Sequence, residues 1–360
     1  MNILREWYER YISDPQVVIL GVSLVVVFVV ILTFGQMLAP VLASVVIAYL
    51  LDGAVEKTHQ LGAPRLSSVT LVFLLFMSFL VFALFWLVPR LSYQVTQLVR
   101  ELPNFIALGQ EVLLQLPQEY PNLFTEAQVS DLIEAIRSEI ATMSQHVLSL
   151  SLPAVFGLIS LMVYSILVPV LVFFFLKDKY RILAWFNQSL PKQRRLVDEV
   201  AQDVNVQVAN YVRGKVWEIF IVGVVAFATF TLMGLNYALL LATMVGLSVI
   251  IPYVGAAVVT IPIALIGWFQ WGWSSDLGWL LFAYDVLQAL DGYLLVPLLF
   301  SEVVNLHPVA IIIAILVFGG LWGFWGVFFA IPLATLVSAV LNAWPKKDDE
   351  GVGSKQPSSE

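Results

Sequence analysis

The chain has no cysteine and very little charge. Cysteine is absent from all 360 residues, and charged side chains make up only 12% of them. The first absence excludes disulfides, thiolate metal sites and cysteine nucleophiles. The second excludes an ordinary soluble domain, in which about a quarter of the residues are charged. Because 60% of the residues are hydrophobic, the composition predicts an integral membrane protein with several spans.

The sequence also lacks the patterns of catalytic and metal sites. Its three histidines (His59, His146 and His307) are scattered without metal-ligand spacing, and it contains no Walker loop, zinc signature or nucleophile elbow. Tyr284-Asp285 resembles the Tyr-Asp pair of intramembrane aspartyl proteases. The second aspartate of such enzymes, on a facing helix in a Gly-x-Gly-Asp setting, is missing. We therefore expect no enzyme, no cofactor, no metal site and no nucleic-acid partner.

Long apolar runs predict the membrane spans. About 20 apolar residues cross the hydrocarbon core of a bilayer as a helix. The sequence thus predicts an all-α polytopic membrane protein with about eight transmembrane helices, some of them broken by proline or glycine. The first two spans would be joined by a tight hairpin at Gly35 and Pro40, with a single long tilted pair of helices as the alternative. The two longest spans would bend or break. The predicted spans lie near residues 17–34, 37–52, 67–89, 152–176, 216–234, 238–268, 279–300 and 308–341.

Polar segments divide the chain into regions. Cytoplasmic loops of membrane proteins carry the excess of lysine and arginine, and eight of the 18 Lys and Arg residues lie in 177–215. We therefore expect residues 1–16, 53–66, 177–215 and the C-terminal tail to face the cytoplasm, and 90–150 to face outward. The predicted regions are an interfacial amphipathic helix (1–16), N-terminal transmembrane helices (17–89), an extracytoplasmic helical segment (90–150), a transmembrane helix (151–176), a basic cytoplasmic segment (177–215), a C-terminal transmembrane transport core (216–341) and a disordered cytoplasmic tail (342–360).

The extracytoplasmic segment has the pattern of a helical hairpin. Thr125 with Gln128 three residues later predicts a capping box at a helix start. Apolar residues then recur at alternating spacings of four and three up to Leu150, which is a heptad seam that needs a partner helix. Residues 90–116 carry an apolar stripe that suits it. Two interpretations stay open, a hairpin within one chain and a contact between subunits of a homo-oligomer.

Proline and glycine interrupt the apolar runs of the second half. Proline removes a backbone donor, and broken backbone is tolerated in a membrane only inside protein or along a watery cavity. Transporters concentrate such breaks at their substrate sites, so this half is predicted to hold a functional cavity. The alternative is that proline and glycine are simply common in membrane helices, with the glycines of 319–326 serving close packing. The interrupting residues include Pro252, Tyr253 and Gly255 in IPYVG, Pro297 in VPLLF, and further prolines and glycines at 261–263, 307–308, 319–326 and 330–334.

Two acids lie inside a predicted span. Asp285, Gln288 and Asp291 occupy one sector of about 120° on an ideal helix, with the acids about 9 Å apart along its axis. No lysine or arginine is near in sequence, so we expect their partner to be a proton, a sodium ion, a polar substrate or backbone amides. The alternative role is structural, with Asp291 capping a helix break that Pro297 helps to form. Glu302 and His307, at the predicted outer mouth, are candidates for a gate.

Several stretches together resemble a known family. They are FFFLKDKYRILAWFNQSLP at 173–191, YVRG at 211–214, IPYVG at 251–255, LQALDGYLLVPLLF at 287–300 and LHPVAIIIAILVFGGLWGFWGVFFAIPLA at 306–334. In this order and spacing they resemble the autoinducer-2 exporter (AI-2E) family of bacterial membrane proteins, also called PerM-like permeases. The resemblance covers nearly the whole chain and is weakest in 90–150.

The resemblance implies a function and a location. It implies a multi-pass transporter of the bacterial cytoplasmic (inner) membrane that exports a small polar solute such as autoinducer-2 without ATP of its own. The family is also linked to sodium/proton antiport, and ring-like homo-oligomers such as a pentamer suit it. A sodium/proton antiporter and an uncoupled channel or scaffold stay as alternatives.

Overall fold

The computed structural model describes residues 15–119, 125, 127–131, 133–135, 137–138, 153–189, 195–252, 254–300 and 307–343. Its regular elements are helical throughout these residues, which confirms the all-α prediction. A helix satisfies its own backbone groups, as a segment surrounded by lipid requires. The predicted interfacial helix (1–16) and the predicted tail (342–360) lie almost entirely outside the described residues.

Thirteen α-helices are labelled here in chain order. Two five-residue π-helical turns, Ala83–Leu87 and Asp291–Leu295, continue α2 into α3 and α9 into α10. The helices are α1 Pro15–Gln60, α2 Arg65–Phe82, α3 Val88–Glu119, α4 Pro153–Lys177, α5 Lys179–Ser189, α6 Arg195–Leu232, α7 Ala238–Ser248, α8 Val254–Trp271, α9 Ser275–Leu290, α10 Val296–Phe300, α11 Pro308–Trp322, α12 Phe324–Phe328 and α13 Ala330–Ala343.

Five stretches of the described helices are long and apolar enough to cross a membrane, which confirms a polytopic protein. Three shorter apolar helices accompany them, Val163–Lys177, Ala238–Ser248 and Pro308–Trp322. The count of eight spans stays a prediction. The five stretches are Met37–Gln60, Arg65–Gln115, Val200–Leu232, Val254–Trp271 and Ser275–Phe300.

The predicted hairpin at Gly35 and Pro40 is wrong. Helix α1 runs through both residues without interruption for 46 residues. An internal proline removes the hydrogen bond to the carbonyl oxygen four residues earlier, yet the helix continues. The Ser44 hydroxyl donates to the Pro40 carbonyl oxygen (2.5 Å) and lies 3.3 Å from the Val168 carbonyl oxygen of α4.

The chain divides into two compact units. One comprises Met1–Met37, Ala184–Tyr211 and Glu302–Glu360, and the other comprises Leu38–Leu183 and Val212–Ser301. In the first unit the Tyr211 hydroxyl donates to the Phe328 carbonyl oxygen (3.2 Å), which ties α6 to α12.

The second unit has two apolar cores. The larger joins α6, α7, α8 and α9 around fully buried side chains such as Phe230, Val245, Ile263 and Leu280. The smaller joins α1, α2 and α4. Many large apolar side chains on the remaining helix faces are exposed, and such an exterior is stable only against lipid or another apolar surface.

The structure separates true breaks from tolerated prolines. The long predicted span 238–268 does break at IPYVG, between α7 and α8, and 308–341 breaks at Gly323, whose φ of 58° is in the left-handed region. Pro262 lies inside an unbroken α8, so the predicted break at 261–263 is wrong. Within 319–326, the prediction of close packing holds for Gly326, where a Cβ would overlap the Phe318 carbonyl oxygen, but not for Gly320, which faces open space.

Part of the predicted helical segment 125–150 is described. Its capping box is formed in both directions: the Gln128 N–H donates to the Thr125 hydroxyl (3.4 Å), and the Thr125 N–H donates to Gln128 Oε1 (3.2 Å). Arg137 donates to Gln110 Oε1 of α3 (2.9 Å). The complete hairpin stays a prediction, because 139–150 lies outside the described residues.

Candidate functional site

Helices α7 and α8 form a tight hairpin in the second unit. With 11 residues α7 is about 16 Å long, roughly half the thickness of the hydrocarbon core. The chain then leaves the helix over residues 249–252 before α8 begins at Val254. A Cβ at Gly255 would overlap the Ser248 carbonyl oxygen, so only glycine lets the two arms approach this closely. Pro252 is half-buried in the turn, and Tyr253 lies outside the described residues.

A buried lysine holds the tip of this hairpin. The Lys215 side chain, on α6, is 4% exposed and donates from Nζ to the Val249 carbonyl oxygen (2.8 Å). The last carbonyls of a helix lack partners within the helix, and a positive charge is favourable at that end. Nζ also lies 2.6 Å from Glu218 Oε2, whose side chain is 3% exposed, and 5.3 Å from the centre of the Phe300 ring. Lys215 therefore joins α6, the hairpin tip and α10.

The glycine before this lysine lets α10 come close. A Cβ at Gly214 would lie 2.8 Å from Phe300 Cε1 and 3.2 Å from the Leu299 carbonyl oxygen. Any larger residue would push α10 away from α6, and with it the ring that covers the Lys215 ammonium. The stretch YVRG therefore has a packing role in this structure.

Asp291 belongs to the same cluster. It is half-buried, and its Oδ1 atom is fully buried without a hydrogen-bond partner among the described residues. It interacts electrostatically with both Lys215 and Glu218. Lys215 forms its ion pair with Glu218, and the Asp291 carboxyl group is near enough to interact with the charges of both. We name Lys215, Glu218 and Asp291 the charge cluster.

The expectation that the partner of Asp291 is a proton, a sodium ion, a polar substrate or backbone amides stays a prediction. Lys215, which is distant in sequence, interacts electrostatically with Asp291. Lys215 was also counted with the cytoplasmic basic segment, whereas its side chain is buried. Sequence reasoning missed Glu218 entirely. The available signal was a Lys and a Glu three residues apart, on one helix face, at the start of an apolar run.

The structure separates the other residues of the predicted polar sector. Gln288 Nε2 donates to the Tyr284 hydroxyl (2.6 Å), and this buried hydroxyl donates to the Ala256 carbonyl oxygen (3.0 Å). Gln288 and Tyr284 therefore connect α9 to the start of α8. Asp285 is exposed and is not part of the charge cluster.

Pro297 does not break its helix. The backbone of Asp291 is helical (φ −61°, ψ −57°), and its carbonyl oxygen accepts the Val296 N–H across a π-helical turn. A proline ring clashes with the carbonyl one turn back, and a wider turn at that level relieves the clash. The alternative in which Asp291 caps a helix break is therefore wrong. Such π turns are frequent at functional sites, and Asp291 is the first residue of this one.

The two candidate gate residues are not brought together. Glu302 lies outside the described residues. His307 is exposed and caps α11, where its Nδ1 atom accepts the Val309 N–H (3.3 Å). A gating role for either residue stays a prediction.

The opposite end of the hairpin is held by α3. Gln94 Oε1 accepts the Leu240 N–H in the first turn of α7 (2.8 Å). Tyr237, just before α7, has a left-handed backbone (φ 59°), and burial together with the Glu101 carboxylate of α3 raises the pKa of its hydroxyl. Both ends of the hairpin are thus fixed by polar groups from neighbouring helices.

Comparison with known proteins agrees with the family resemblance. The sequence model described as AI-2E family transporter matches residues 22–346. The chain belongs to the AI-2E family. The PerM protein of Escherichia coli (strain K12), which its name describes as a permease, is 44% identical over 346 residues, 96% of this chain and 98% of its own length. YueF of Bacillus subtilis (strain 168), named as a transport protein, is 28% identical over 87% of this chain and 84% of its own length.

These relatives support a general function for this AI-2E family member. It is a multi-pass membrane transporter, since its apolar helices and its permease relatives agree. The relatives give no support for an enzyme. Asp291 and the hairpin turn lie in two of the stretches that carry the resemblance, LQALDGYLLVPLLF and IPYVG, and Lys215 directly follows a third, YVRG.

Proposed function

We propose that this AI-2E protein is a secondary transporter of the bacterial inner membrane that moves a small polar solute, such as autoinducer-2. In this proposal a proton gradient drives the movement, and Asp291 takes up the proton. The observation that carries the proposal is the buried charge cluster at the tip of the α7–α8 hairpin. Both termini are placed in the cytoplasm by the lysine and arginine distribution.

The state of Asp291 supports a role in binding. A carboxylate in a membrane span is costly, and such residues in transporters mark substrate or proton pathways. Lys215 already contacts Glu218 and the Val249 carbonyl oxygen, so it compensates Asp291 only in part. The buried Oδ1 atom gains a partner when it takes a proton or accepts a hydrogen bond from a solute hydroxyl. Asp291 is therefore the member of the cluster with binding capacity left.

The broken hairpin supports the same function. Discontinuous helices place free backbone groups at the middle of the membrane in transporters. Here the hairpin tip is irregular over 249–252, Val249 and Ile250 in it are buried, and a charged side chain holds it. A solute or proton that changes the interaction of Lys215 would thus act directly on the tip.

Sodium/proton antiport is the second candidate. Two carboxyl groups against one ammonium leave a negative excess when both acids are ionised, which favours a cation. Sodium requires several oxygen ligands, as hard cations do. In the described part of the chain, no group of three or more Asp, Glu, His or Cys residues is arranged to hold a metal ion. Backbone carbonyls of the hairpin tip would have to complete such a site.

Transport in proteoliposomes tests the proposal. Asp291→Asn keeps the size of the side chain but removes its ability to ionise. We expect it to abolish solute movement driven by a pH gradient, measured with labelled solutes from a panel that includes autoinducer-2. Asp276→Asn is the matched control, because Asp276 is an exposed acid in the first turn of the same helix, and we expect it to transport normally.

The possible outcomes separate the alternatives. Loss of sodium-driven pH changes in the Asp291→Asn variant, with no solute moved by the natural protein, would favour antiport. Flux that is intact in Asp291→Asn and insensitive to a pH gradient would refute coupling at Asp291 and favour a passive channel.

A further inference from the structure

A second group of charged residues lies where α1, α2, α4 and α5 meet. Lys179 Nζ, at the start of α5, is 2.8 Å from Asp52 Oδ2 of α1. Arg65 Nη2, at the start of α2, is 3.9 Å from Asp52 Oδ1 and donates to the Leu176 carbonyl oxygen at the end of α4 (3.4 Å). The Arg65 guanidinium also lies 4.2 Å from the centre of the Tyr180 ring. Packing and charge thus fix the position of both cations.

Arg213 of α6 adds a third cation beside this group. A Cβ at Gly53, the residue after Asp52, would lie 3.2 Å from Arg213 Cζ and Nη2. The guanidinium therefore lies directly against the backbone of α1. Arg213 is two residues before Lys215, so the two side chains leave α6 on nearly opposite sides. α6 thus carries one cation of the charge cluster and one cation of this second group.

The second group has more positive than negative charge. Arg65, Lys179 and Arg213 supply three cations, and Asp52 is the carboxylate that pairs with Arg65 and Lys179 in the part of the chain that the structure describes. In addition, Arg65 Nε is buried and has no hydrogen-bond partner there. A buried donor without an acceptor is rare. An arginine beside a lysine, with a free N–H and excess positive charge, has the chemistry of a phosphate site.

The position of the group indicates where the phosphate comes from. Arg65 is the first residue of the apolar stretch Arg65–Gln115, and Leu176 is next to the last residue of the apolar helix Val163–Lys177. The ends of membrane helices lie at the level of the lipid headgroups. Basic pockets between such helices bind anionic headgroups.

We propose that Arg65, Lys179 and Arg213 form a binding site for a phosphate monoanion, as carried by an anionic lipid headgroup or by free phosphate. Arg65 and Lys179 bind the phosphate oxygens directly, with Arg65 Nε as one donor. Arg213 adds positive charge at the Gly53 side. Asp52 orients the two cations and competes with the phosphate for them. The site does not depend on the proposed transport cycle.

Lipid binding to the purified protein tests the proposal. Binding is measured by native mass spectrometry in detergent micelles, with phosphatidylglycerol as the anionic probe, phosphatidylcholine as the neutral probe and inorganic phosphate as the free anion. We expect saturable binding of phosphatidylglycerol and much weaker binding of phosphatidylcholine. Lys179→Gln and Arg65→Gln should each weaken phosphatidylglycerol binding about tenfold, since each removes a charge-assisted hydrogen bond.

Two further variants make the test specific. Lys57→Gln removes an exposed lysine of α1 that lies outside the group, and we expect unchanged binding. Asp52→Asn removes the competing carboxylate, and we expect tighter binding, an outcome that damage to the fold would not produce. Thermal unfolding without lipid shows whether each variant is folded.

The binding results identify the source of the phosphate or overturn the proposal. Saturable binding of inorganic phosphate at the same residues would identify a free anion as the ligand, whereas binding of phosphatidylglycerol alone would identify a lipid headgroup. Equal binding of both lipids would overturn the proposal, as would equal losses in Lys179→Gln and Lys57→Gln, or unchanged binding in folded Lys179→Gln and Arg65→Gln variants.

Discussion

Replacing Lys215 by methionine tests whether the charge cluster is built as the structure shows. Methionine keeps the length of the side chain and removes the charge. Glu218 would then be a buried carboxylate whose ion-pair partner is gone, and the Val249 carbonyl oxygen would lose its donor. Removal of one partner of a buried ion pair costs about 3–5 kcal/mol. Since both side chains are almost fully buried, solvent screening reduces this cost very little.

The double variant Lys215→Met/Glu218→Leu separates charge from packing. It removes both buried charges, so most of the loss should be recovered. About 1 kcal/mol should remain for the unpaired Val249 carbonyl. The second substitution should therefore restore about 2–4 kcal/mol of the stability lost in Lys215→Met. Lys57→Met, at an exposed lysine, is the control and should change the stability by no more than about 0.5 kcal/mol.

Thermal unfolding in detergent micelles, followed by tryptophan fluorescence, measures these differences. At roughly 2 °C per kcal/mol for a chain of this size, Lys215→Met should lower the Tm by about 6–10 °C. A Tm within about 1 °C of the natural protein would refute the ion pair. A double variant no more stable than Lys215→Met would show that the loss arises from packing rather than charge.

Two further predictions concern the hairpin and the topology. Gly255→Ala should prevent the α7–α8 arms from closing and should sharply lower the Tm or the yield of folded protein. Gly278→Ala, at a helical glycine that faces open space, is the control and should keep the natural Tm within about 2 °C. Equal effects of the two substitutions would contradict the hairpin geometry. Because the chain has no cysteine, a single introduced cysteine is the only site that a maleimide can label. A membrane-impermeant maleimide added to intact cells should label the Glu111→Cys variant and should not label the Lys57→Cys variant. The reverse pattern would show that the proposed orientation is inverted.

The residues around the α7–α8 break made this break predictable from the sequence. The sequence did not show which of the other prolines interrupt their helices. IPYVG combines a proline with a glycine that must accept close backbone contact, and the chain reverses there. Pro40 and Pro262 lack such a glycine, and their helices continue. Whether a proline breaks a helix depends on the packing around it, and Ser44, one turn after Pro40, donates to the Pro40 carbonyl oxygen and lies against the Val168 carbonyl oxygen of α4. The partner across the helix interface, which no sequence pattern specifies, decides the rest.

The charge cluster shows the same limit more clearly. Asp291 was identifiable because a carboxylate inside an apolar run is rare. Its neighbour Lys215 was not, because that proximity depends on how α6 packs against α10, where Gly214 lies against Phe300. The π turn at Asp291–Leu295 was equally hidden, since a proline gives no sign of whether its helix will break or widen. Single residues were thus predictable, and contacts between distant helices were not.

The position of the Lys215 ammonium group explains how the proposed coupling would reach the hairpin. An ammonium group has three donors, and Lys215 faces the Val249 carbonyl oxygen, the Glu218 carboxylate and the charge of Asp291. When Asp291 is ionised, its charge attracts the ammonium group and opposes the pull of Glu218 and of the carbonyl oxygen. When Asp291 takes a proton, one competitor becomes neutral, and Lys215 interacts more strongly with Glu218 and the hairpin tip. Because the same ammonium group serves the acid and the tip, protonation and hairpin position are linked, and Lys215→Met should uncouple them even where transport itself survives.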